Sequence, residues 1–206
     1  MTEAKSYRTL GGEGTGELID RKSQFLGFAF PVTTPEEAEA CLGRIRKLHH
    51  DARHCVFAYV LRSGQKKYSD DGEPQGSAGR PVLDVLEKTS TEDALVCVVR
   101  YFGGILLGTG GLVRAYSGAA SAAVENAGIR EMKLRVFLSF IVSYNEWAKL
   151  ERPVTDMGAR VENTEYAADV TVTVSADGGR DGEIIEKIRN LTAGKTEAKV
   201  VGEQFS

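Results

Sequence analysis

The sequence predicts an α+β protein with two domains, and three observations support this prediction. Its 206 residues are enough for one large or two small domains. Apolar segments of strand length alternate with amphipathic segments of helix length. From residue 135 the pattern restarts, and a β-α-β-β-α-β order follows within about 70 residues, as in a ferredoxin-like unit. We therefore expect an N-terminal domain over residues 1–133 and a C-terminal domain over residues 134–206.

The N-terminal domain is predicted to begin with one or two strands in residues 15–32, which alternate in polarity and carry aromatic residues. Thr34 has the features of a helix N-cap, because Pro35 and Glu37 follow at the first and third helical positions. This helix is expected to end near Leu48. A buried strand follows at 54–61 and its short partner strand at 66–69. A loop rich in Gly and Pro at 69–81 leads to a short helix at 82–89. An apolar strand at 94–102 and a long helix of small residues at 110–128 complete the domain.

The C-terminal domain is predicted to begin with a strand over residues 135–144. Asn145 is the expected N-cap of the next helix, which Pro153 kinks or ends. Two strands joined by a turn follow at 159–176, and a helix that ends at a glycine follows at 178–194. A final strand at 196–205 completes the order.

Composition places the chain among soluble globular proteins, because its hydrophobic fraction is 42% and its charged fraction 27%. The N-terminus MTEAKSYRTLGG has no apolar segment of the signal-peptide kind, and no run of about 18 apolar residues predicts a membrane-spanning helix. The cysteines are odd in number and form no C-x-x-C pair, which favours a reducing compartment. We expect a cytoplasmic protein whose cysteines are small buried side chains, namely Cys41, Cys55 and Cys97.

The distribution of charge is more informative than the net charge of −3. Residues 1–135 sum to +1 and residues 136–206 to −4, and the segment 44–67 has a surplus of six positive charges. Such a surplus is typical of a solvated helix end and hairpin, or of a face that binds an anion such as RNA. In the second interpretation the residues that face the nucleic acid are Arg44, Arg46, Lys47, Arg53, Arg62, Lys66 and Lys67.

A glycine-rich segment, VVRYFGGILLGTGGLVRAY at 98–116, joins a strand to a helix N-terminus. Free amide groups and the helix dipole favour anions there, and glycines let an anion approach the backbone. Arg100 and Arg114 are expected to hold the same anion. The segment is not a Walker A loop, since no lysine follows Gly110 or Gly111, and it does not match the G-x-G-x-x-G dinucleotide fingerprint. The alternative is that these glycines serve only tight turns and close packing of the helix on the sheet.

The loop SDDGEPQGSAGRP at 69–81 places Asp70, Asp71 and Glu73 close together. Three hard oxygen ligands suit Mg²⁺ or Ca²⁺, but their spacing is not that of an EF-hand loop. The alternatives are that these carboxylates cap a turn or orient the arginine side chains of the same region. We expect no cofactor, with Mg²⁺ at the acidic loop as the alternative.

The motif His50-x-x-x-His54 beside Cys55 has the spacing of a zinc-binding helix, but the two histidines are expected on different elements. No Ser, Cys or Thr stands beside a recognisable base, so hydrolytic catalysis has no support from the sequence. We therefore assign no metal site and no catalytic residue, and we favour binding over catalysis.

Two long motifs carry a family resemblance. SDDGEPQGSAGRPVLDVL at 69–86 and VVRYFGGILLGTGGLVRAYSGAA at 98–120, together with KSQFLGF at 22–28 and ARHCVFAYVL at 52–61, resemble the IMPACT/YigZ family in order and spacing. The resemblance implies an N-terminal IMPACT domain, similar in fold to the second domain of a small-subunit ribosomal protein and to domain IV of elongation factor EF-G. It also implies a C-terminal ferredoxin-like α/β sandwich, similar to domain V of EF-G, as in bacterial two-domain members.

The resemblance also implies a function linked to translation. Eukaryotic relatives regulate translation under amino-acid starvation by competing for the activator of a stress kinase. They carry a different, N-terminal partner-binding domain, which we do not expect in this chain. We expect a cytoplasmic, translation-associated regulator that binds RNA or the ribosome, with a protein of the translation machinery as a further partner. No membrane partner and no DNA specificity are expected. The alternatives are an enzyme that acts on a phosphorylated or anionic small molecule, and a protein-interaction module without catalysis.

The matching motif positions define the predicted site. The glycine segment is expected to shape a pocket for the ligand, with the acidic loop as its other wall. The predicted ligand-binding residues are Arg80, Arg100, Gly103, Gly104, Gly108, Gly110, Gly111, Arg114 and Tyr116. The predicted acidic residues of the pocket are Asp70, Asp71 and Glu73.

Overall fold

The structure, a computed structural model, describes residues 6–206, so the first five residues of the predicted N-terminal domain lie outside it. The chain divides into an N-terminal unit, Tyr7–Glu131, and a C-terminal unit that contains Met132–Ser206 and Ser6. In chain order the strands and helices are β1 (Ser6–Leu10), β2 (Gly14–Asp20), β3 (Ser23–Pro31), α1 (Pro35–Leu48), β4 (His54–Val60), β5 (Lys66–Ser69), α2 (Gly79–Lys88), β6 (Ala94–Tyr101), α3 (Gly108–Ala127), β7 (Ile129–Val142), α4 (Tyr144–Asp156), β8 (Arg160–Tyr166), β9 (Val170–Asp177), α5 (Asp181–Leu191) and β10 (Lys199–Phe205).

The N-terminal unit is built on an antiparallel sheet with the strand order β2-β3-β6-β4-β5. The central strand β6 is apolar on both faces, because helices cover the sheet on both sides. On one face α1 packs through Leu42 and Ile45 against strand residues such as Leu95. On the other face α2 and α3 pack against alternate residues such as Val96 and Val98. The unit therefore has one core on each side of a single sheet.

Helix α1 begins where its sequence predicts. Thr34 is the N-cap, and its side-chain oxygen accepts a hydrogen bond from the amide of Glu37 at 3.2 Å. Pro35 occupies the first helical position, where its missing N–H costs nothing. The helix ends at Leu48, as expected.

Helix α3 lies unusually close to the sheet, which explains its many small residues. A Cβ added at Gly16 would come within 2.5 Å of the Ala123 backbone nitrogen, and one at Gly27 would run into the carbonyl oxygen of Ala119. Glycines on the strands and alanines on the helix therefore let the two backbones approach each other. Close packing on the sheet therefore accounts for the small residues of this helix.

The C-terminal unit has the ferredoxin-like order β10-β7-β9-β8, all antiparallel. Helices α4 and α5 pack on one face through side chains such as Leu150 and Ile188, against alternate residues of β7 such as Leu138. The predicted α+β class with a ferredoxin-like second half is confirmed. Strand β1 also pairs with β7, whose first residues belong to the N-terminal unit.

Two details of the C-terminal helices differ from the sequence predictions. The N-cap of α4 is Ser143 and not Asn145, because Ser143 and Glu146 form a reciprocal capping box. Pro153 lies inside α4 and does not end it, since the helix continues to Asp156.

Strand β1 was not predicted.

No helix in the described part of the chain is long and apolar enough to cross a membrane.

Gly27→Ala tests the close approach of α3 to the sheet. The added methyl group meets the Ala119 carbonyl, so we expect the free energy of unfolding in urea to fall by about 1–3 kcal/mol. Gly43→Ala in α1 is the matched control, because a Cβ there meets nothing within 4 Å. It should leave stability unchanged or raise it by up to about 1 kcal/mol. Equal losses in the two variants would contradict the packing argument.

Candidate functional site

Three side chains form a row across one end of the N-terminal sheet. Phe25 on β3 and His54 on β4 are the cross-strand partners of Arg100 on β6. Directly opposed residues point to the same face of a sheet. The face is the one that α2 and α3 cover, because Phe25 belongs to their core cluster. Arg100 is therefore buried, with 6% of its surface exposed.

Glu73 of the acidic loop neutralises Arg100. Arg100 Nη1 donates to Glu73 Oε1 at 2.6 Å, and both side chains are almost fully buried. The hydroxyl of Tyr116 on α3 donates to the same oxygen at 2.8 Å, and His54 Nε2 lies 3.8 Å from it. One carboxylate oxygen thus joins the acidic loop, the end of β6 and the middle of α3. We refer to Arg100, Glu73, Tyr116 and His54 as the buried network.

Tyr116 acts as a permanent donor in this network. Burial, followed by the negative charge of Glu73, raises the pKa of Tyr116 far above its ordinary value. The hydroxyl therefore keeps its proton through the physiological range. Tyr116 itself is fully buried and contributes to the site by holding Glu73, not by reaching a ligand.

Two aromatic rings flank the guanidinium of Arg100. Its Cζ lies 5.4 Å from the ring centroid of Phe25 and 5.4 Å from that of Phe102. Both are favourable cation–π contacts. Arg100 Nε is buried and has no hydrogen-bond partner among residues 6–206. The charge of Arg100 is thus used within the protein, while one of its donors is left without an acceptor.

The other two carboxylates of the acidic loop hold backbone. Asp70 accepts hydrogen bonds from the amides of Gly76, Ala78 and Gly79, at 2.8, 3.1 and 2.7 Å, and so caps the start of α2. Asp71 accepts from the amide of Cys55 at 2.6 Å. The sequence left two roles open for these carboxylates. Asp70 serves as a cap, Glu73 orients an arginine, and Asp71 instead binds a strand amide. Within residues 6–206 no three His, Cys, Asp or Glu side chains are grouped to hold a metal ion.

A cleft of about 380 Å³ opens beside the buried network. The acidic loop forms one wall and the segment from Phe102 to Leu112 forms the other, so the structure brings the two sequence motifs together. The lining residues are Arg53, His54, Gly72, Glu73, Pro74, Arg100, Phe102, Leu106, Leu107, Gly108, Thr109 and Leu112.

The N-terminus of α3 faces this cleft without a cap. Helix α3 begins at Gly108, which lines the cleft, and has neither a side-chain cap nor an acidic residue in its first turn. Gly104 and Gly108 have φ values of +84° and +71°, which favour glycine. The open amides and the positive end of the helix dipole therefore lie beside the cleft.

A basic turn that the sequence analysis missed lies against the same segment. Arg21 and Lys22 connect β2 to β3 with φ values of +44° and +67°, where Asn-Gly is usual. Arg21 donates to the carbonyl of Leu106 at 3.1 Å, and a Cβ on Gly103 would run into the backbone of Lys22. In the sequence, the two residues between the alternating segments of β2 and β3 were the signal for a hairpin turn. The turn was not recognised because Arg-Lys is an unusual sequence for it.

The other predicted arginines lie outside the cleft. Arg80 is on α2 and forms ion pairs with Asp84 at 2.7 Å and Glu87 at 2.9 Å. Arg114 is exposed on α3 and lines a separate cavity of about 450 Å³ between α2 and α3. Its Nη1 lies 3.8 Å from the position of a Cβ on Gly110, so the side chain reaches back towards the first turn of its own helix.

Most of the predicted basic face is occupied by contacts within the protein. Lys66 pairs with Glu87 at 2.8 Å, and Lys67 pairs with Glu39 at 3.3 Å. Arg53 is the member that lines the cleft. The remaining members include Arg44, paired with Glu13, Arg46 over the ring of Phe57, Arg62 over the ring of Tyr7, and Lys47 in the last turn of α1.

Comparison with known proteins agrees with this architecture. The model of the Impact N-terminal domain matches residues 21–124, and that of a domain of unknown function, DUF1949, matches residues 140–195. The IMPACT family member YvyE of Bacillus subtilis is 34% identical over 196 residues, 94% of this chain and 90% of that protein. YigZ of Escherichia coli is 31% identical over 89% of this chain and 92% of that protein.

A crystal structure described as that of a hypothetical protein is similar over 97% of this chain and 98% of that one, with a TM-score of 0.64 and 28% identity. Mouse Protein IMPACT is 33% identical over 98 residues, 44% of this chain and 30% of that protein. Fold and site together define a two-domain α+β protein with an uncapped helix end beside a buried ion pair. The chain belongs to the IMPACT family, as its two motifs predicted.

Glu73→Gln tests the buried ion pair. Removing the charge leaves Arg100 buried without a counter-ion, so we expect the free energy of unfolding in urea to fall by about 3–5 kcal/mol. Adding Arg100→Met to this variant should recover at least half of the loss, because no buried charge then remains. Arg80→Gln, at an exposed pair, should cost less than about 1 kcal/mol. If Glu73→Gln costs no more than this control, the pair is not buried as described.

Tyr116→Phe tests the raised pKa of Tyr116. The unfolded chain loses this proton near pH 10, whereas the folded protein keeps it to higher pH. The stability that the hydroxyl contributes is therefore complete below pH 10 and is lost as the pH rises above it. The stability difference between wild type and Tyr116→Phe should shrink by up to about 1.4 kcal/mol per pH unit there. Urea denaturation at pH 8, 10 and 11 measures this difference, and a constant difference would refute the assignment.

Proposed function

We propose that this protein is a translation-associated regulator that binds RNA through the end of its N-terminal sheet. The observation that carries the proposal is the uncapped start of α3, which has no acidic residue in its first turn. A helix N-terminus attracts phosphate, because its amides are free and its dipole is positive. The family membership and the resemblance to translation regulators support the proposal from the sequence.

Three cations without a counter-ion come from this region. Arg53 lines the cleft, Arg114 reaches back to the first turn, and the backbone of Lys22 lies against Gly103 in the segment before the helix. Within residues 6–206 none of these three forms an ion pair. They contrast with the cations of the β5 edge, which are paired with glutamates. These three side chains therefore keep their positive charge available for a bound anion.

The arrangement of these cations favours a polyanion over a single small anion. Arg53 lies in the cleft, Arg114 lines the neighbouring cavity, and Lys22 lies in the turn between β2 and β3. Neither the cleft nor this neighbouring cavity contains all three. A nucleic acid backbone presents phosphates at regular intervals, so it matches charges that are distributed along a surface.

Salt-dependent binding of structured RNA tests the proposal. The double variant Arg53→Gln/Arg114→Gln should reduce the slope of log K against log salt by about 1.4–1.8, since each lost phosphate contact removes about 0.7–0.9. Lys66→Gln/Lys67→Gln removes the same charge where it is already paired, and it should leave the slope unchanged. Absence of RNA binding at low salt would reject the function. If the slope falls only in the Lys66→Gln/Lys67→Gln variant, the RNA binds at the β5 edge and not at the start of α3.

A further inference from the structure

We infer that the cleft beside α3 takes one unpaired nucleotide of the bound RNA, with its base against Phe102 and its phosphate on the first turn of the helix. This inference rests on the proposed function and specifies which part of the RNA the protein reads. It requires a cavity of suitable size, a stacking surface, polar groups for the base edge and an accessible anion site.

The cleft has the size and the mixed character that a nucleotide requires. Its volume of about 380 Å³ falls in the range of about 300–1,000 Å³ that is typical of small-molecule pockets. Phe102, Leu106 and Leu112 provide an apolar side, while Arg53 and Thr109 provide a polar side next to the helix end. A nucleotide presents a flat aromatic base and an anionic phosphate, which match these two sides.

Phe102 is placed to stack on a base. One face of its ring contacts the guanidinium of Arg100, which Glu73 holds in place. This contact fixes the orientation of the Phe102 ring. The residue is nevertheless 44% exposed and lines the cleft. Leu106, also in the lining, is 80% exposed. Exposed apolar side chains of this kind are typical of binding surfaces, and aromatic stacking on bases is common in proteins that bind single strands.

The buried network leaves polar atoms available at the cleft. Glu73 uses Oε1 for Arg100 and Tyr116, and within residues 6–206 its Oε2 accepts no hydrogen bond. His54 Nδ1 donates to the carbonyl of Asp71 at 2.7 Å, and Nε2, 3.8 Å from Glu73 Oε1, lies beyond hydrogen-bond distance of it. Glu73 and His54 both line the cleft, so a base edge that donates to Glu73 Oε2 and pairs with His54 Nε2 would supply the missing partners.

Gly110 marks the anion end of the site. A Cβ there would meet only Arg114 Nη1, at 3.8 Å, and the backbone of Gly110 is not in the left-handed region. Neither packing nor conformation therefore requires glycine, although glycine is unfavourable inside a helix. A helical Cβ tilts towards the N-terminus, so a side chain at this position would stand beside the open amides. Its absence leaves the first turn accessible to phosphate.

Arg114 supports the same assignment. Its guanidinium lies near the positive end of α3, where a cation is unfavourable until an anion binds. Within residues 6–206 no carboxylate pairs with it. A phosphate on the first turn would supply this counter-ion. Because bases are accessible to stacking only when they are unpaired, the site favours loops and single strands over duplex.

Fluorescence anisotropy with a single-stranded RNA and the matching duplex tests the inference. Phe102→Leu keeps an apolar side chain but removes the ring, so it should weaken single-strand binding roughly tenfold and leave duplex binding unchanged. Ile105→Ala is the control, because Ile105 is also 44% exposed in the same loop but does not line the cleft. It should change neither affinity.

Gly110→Ala separates binding from folding. An alanine in the helix should leave the melting temperature unchanged or raise it, yet it should weaken single-strand binding several-fold by obstructing the first turn. Gly43→Ala, an unobstructed helical glycine in α1, should have the same thermal effect with no change in affinity.

The outcomes distinguish this inference from the proposed function. If wild type binds RNA with the expected salt dependence but Phe102→Leu and Gly110→Ala bind single strands as well as wild type does, the nucleotide site is refuted and the function stands. Equal wild-type affinity for single strand and duplex also refutes the site. If wild type binds no RNA but binds free adenosine monophosphate, the proposed function fails and the cleft belongs to a small nucleotide.

Discussion

The ion pair between Arg100 and Glu73 is the interaction on which the candidate site depends. Both side chains are almost fully buried, and a buried charge is tolerated only with its counter-ion. Because Tyr116 donates to the same carboxylate oxygen, the pair also attaches α3 to the acidic loop. One buried carboxylate therefore sets the distance between the two walls of the cleft.

The charged groups of the N-terminal unit divide into two sets with different roles. In the buried network Arg100 and Glu73 neutralise each other's charge, while Asp70 and Asp71 accept hydrogen bonds from backbone amides. Within residues 6–206, Arg53 and Arg114 form no ion pair, are exposed and lie beside the start of α3. A rigid, internally neutralised support beside an exposed positive surface is what binding to a polyanion requires, since the support fixes the helix end while the surface stays free for phosphate.

Much of the fold was predictable because its signals are local. Thr34 and Pro35 define the start of α1, and the apolar periodicity defines the central strands. The small residues of α3 indicate its close approach to the sheet. The capping box of Ser143 and Glu146 was also present in the sequence, three positions apart, but Asn145 was preferred as the cap. Strand β1 is short and half polar, so no alternating pattern distinguishes it from a loop.

The site was predictable only in outline. The sequence predicted a pocket between an acidic loop and a glycine segment, and the structure places both at one cleft. Which carboxylate pairs with Arg100 is decided by contacts between residues far apart in the chain, and Arg114 is directed to the first turn by the orientation of a helical side chain. Neither follows from spacing. Close packing explains Gly103 and Gly111 but not Gly110, a distinction that only the surrounding atoms reveal.

An NMR titration of the labelled full chain with a short single-stranded RNA tests directly whether the start of α3 binds phosphate. We predict that the largest amide shifts occur at Gly108, Thr109, Gly110 and Gly111, with smaller ones at Phe102 and Arg53. These are the positions where the backbone is free to bind phosphate. Shifts confined to α1 and the β4–β5 hairpin, or to the C-terminal unit, would contradict it.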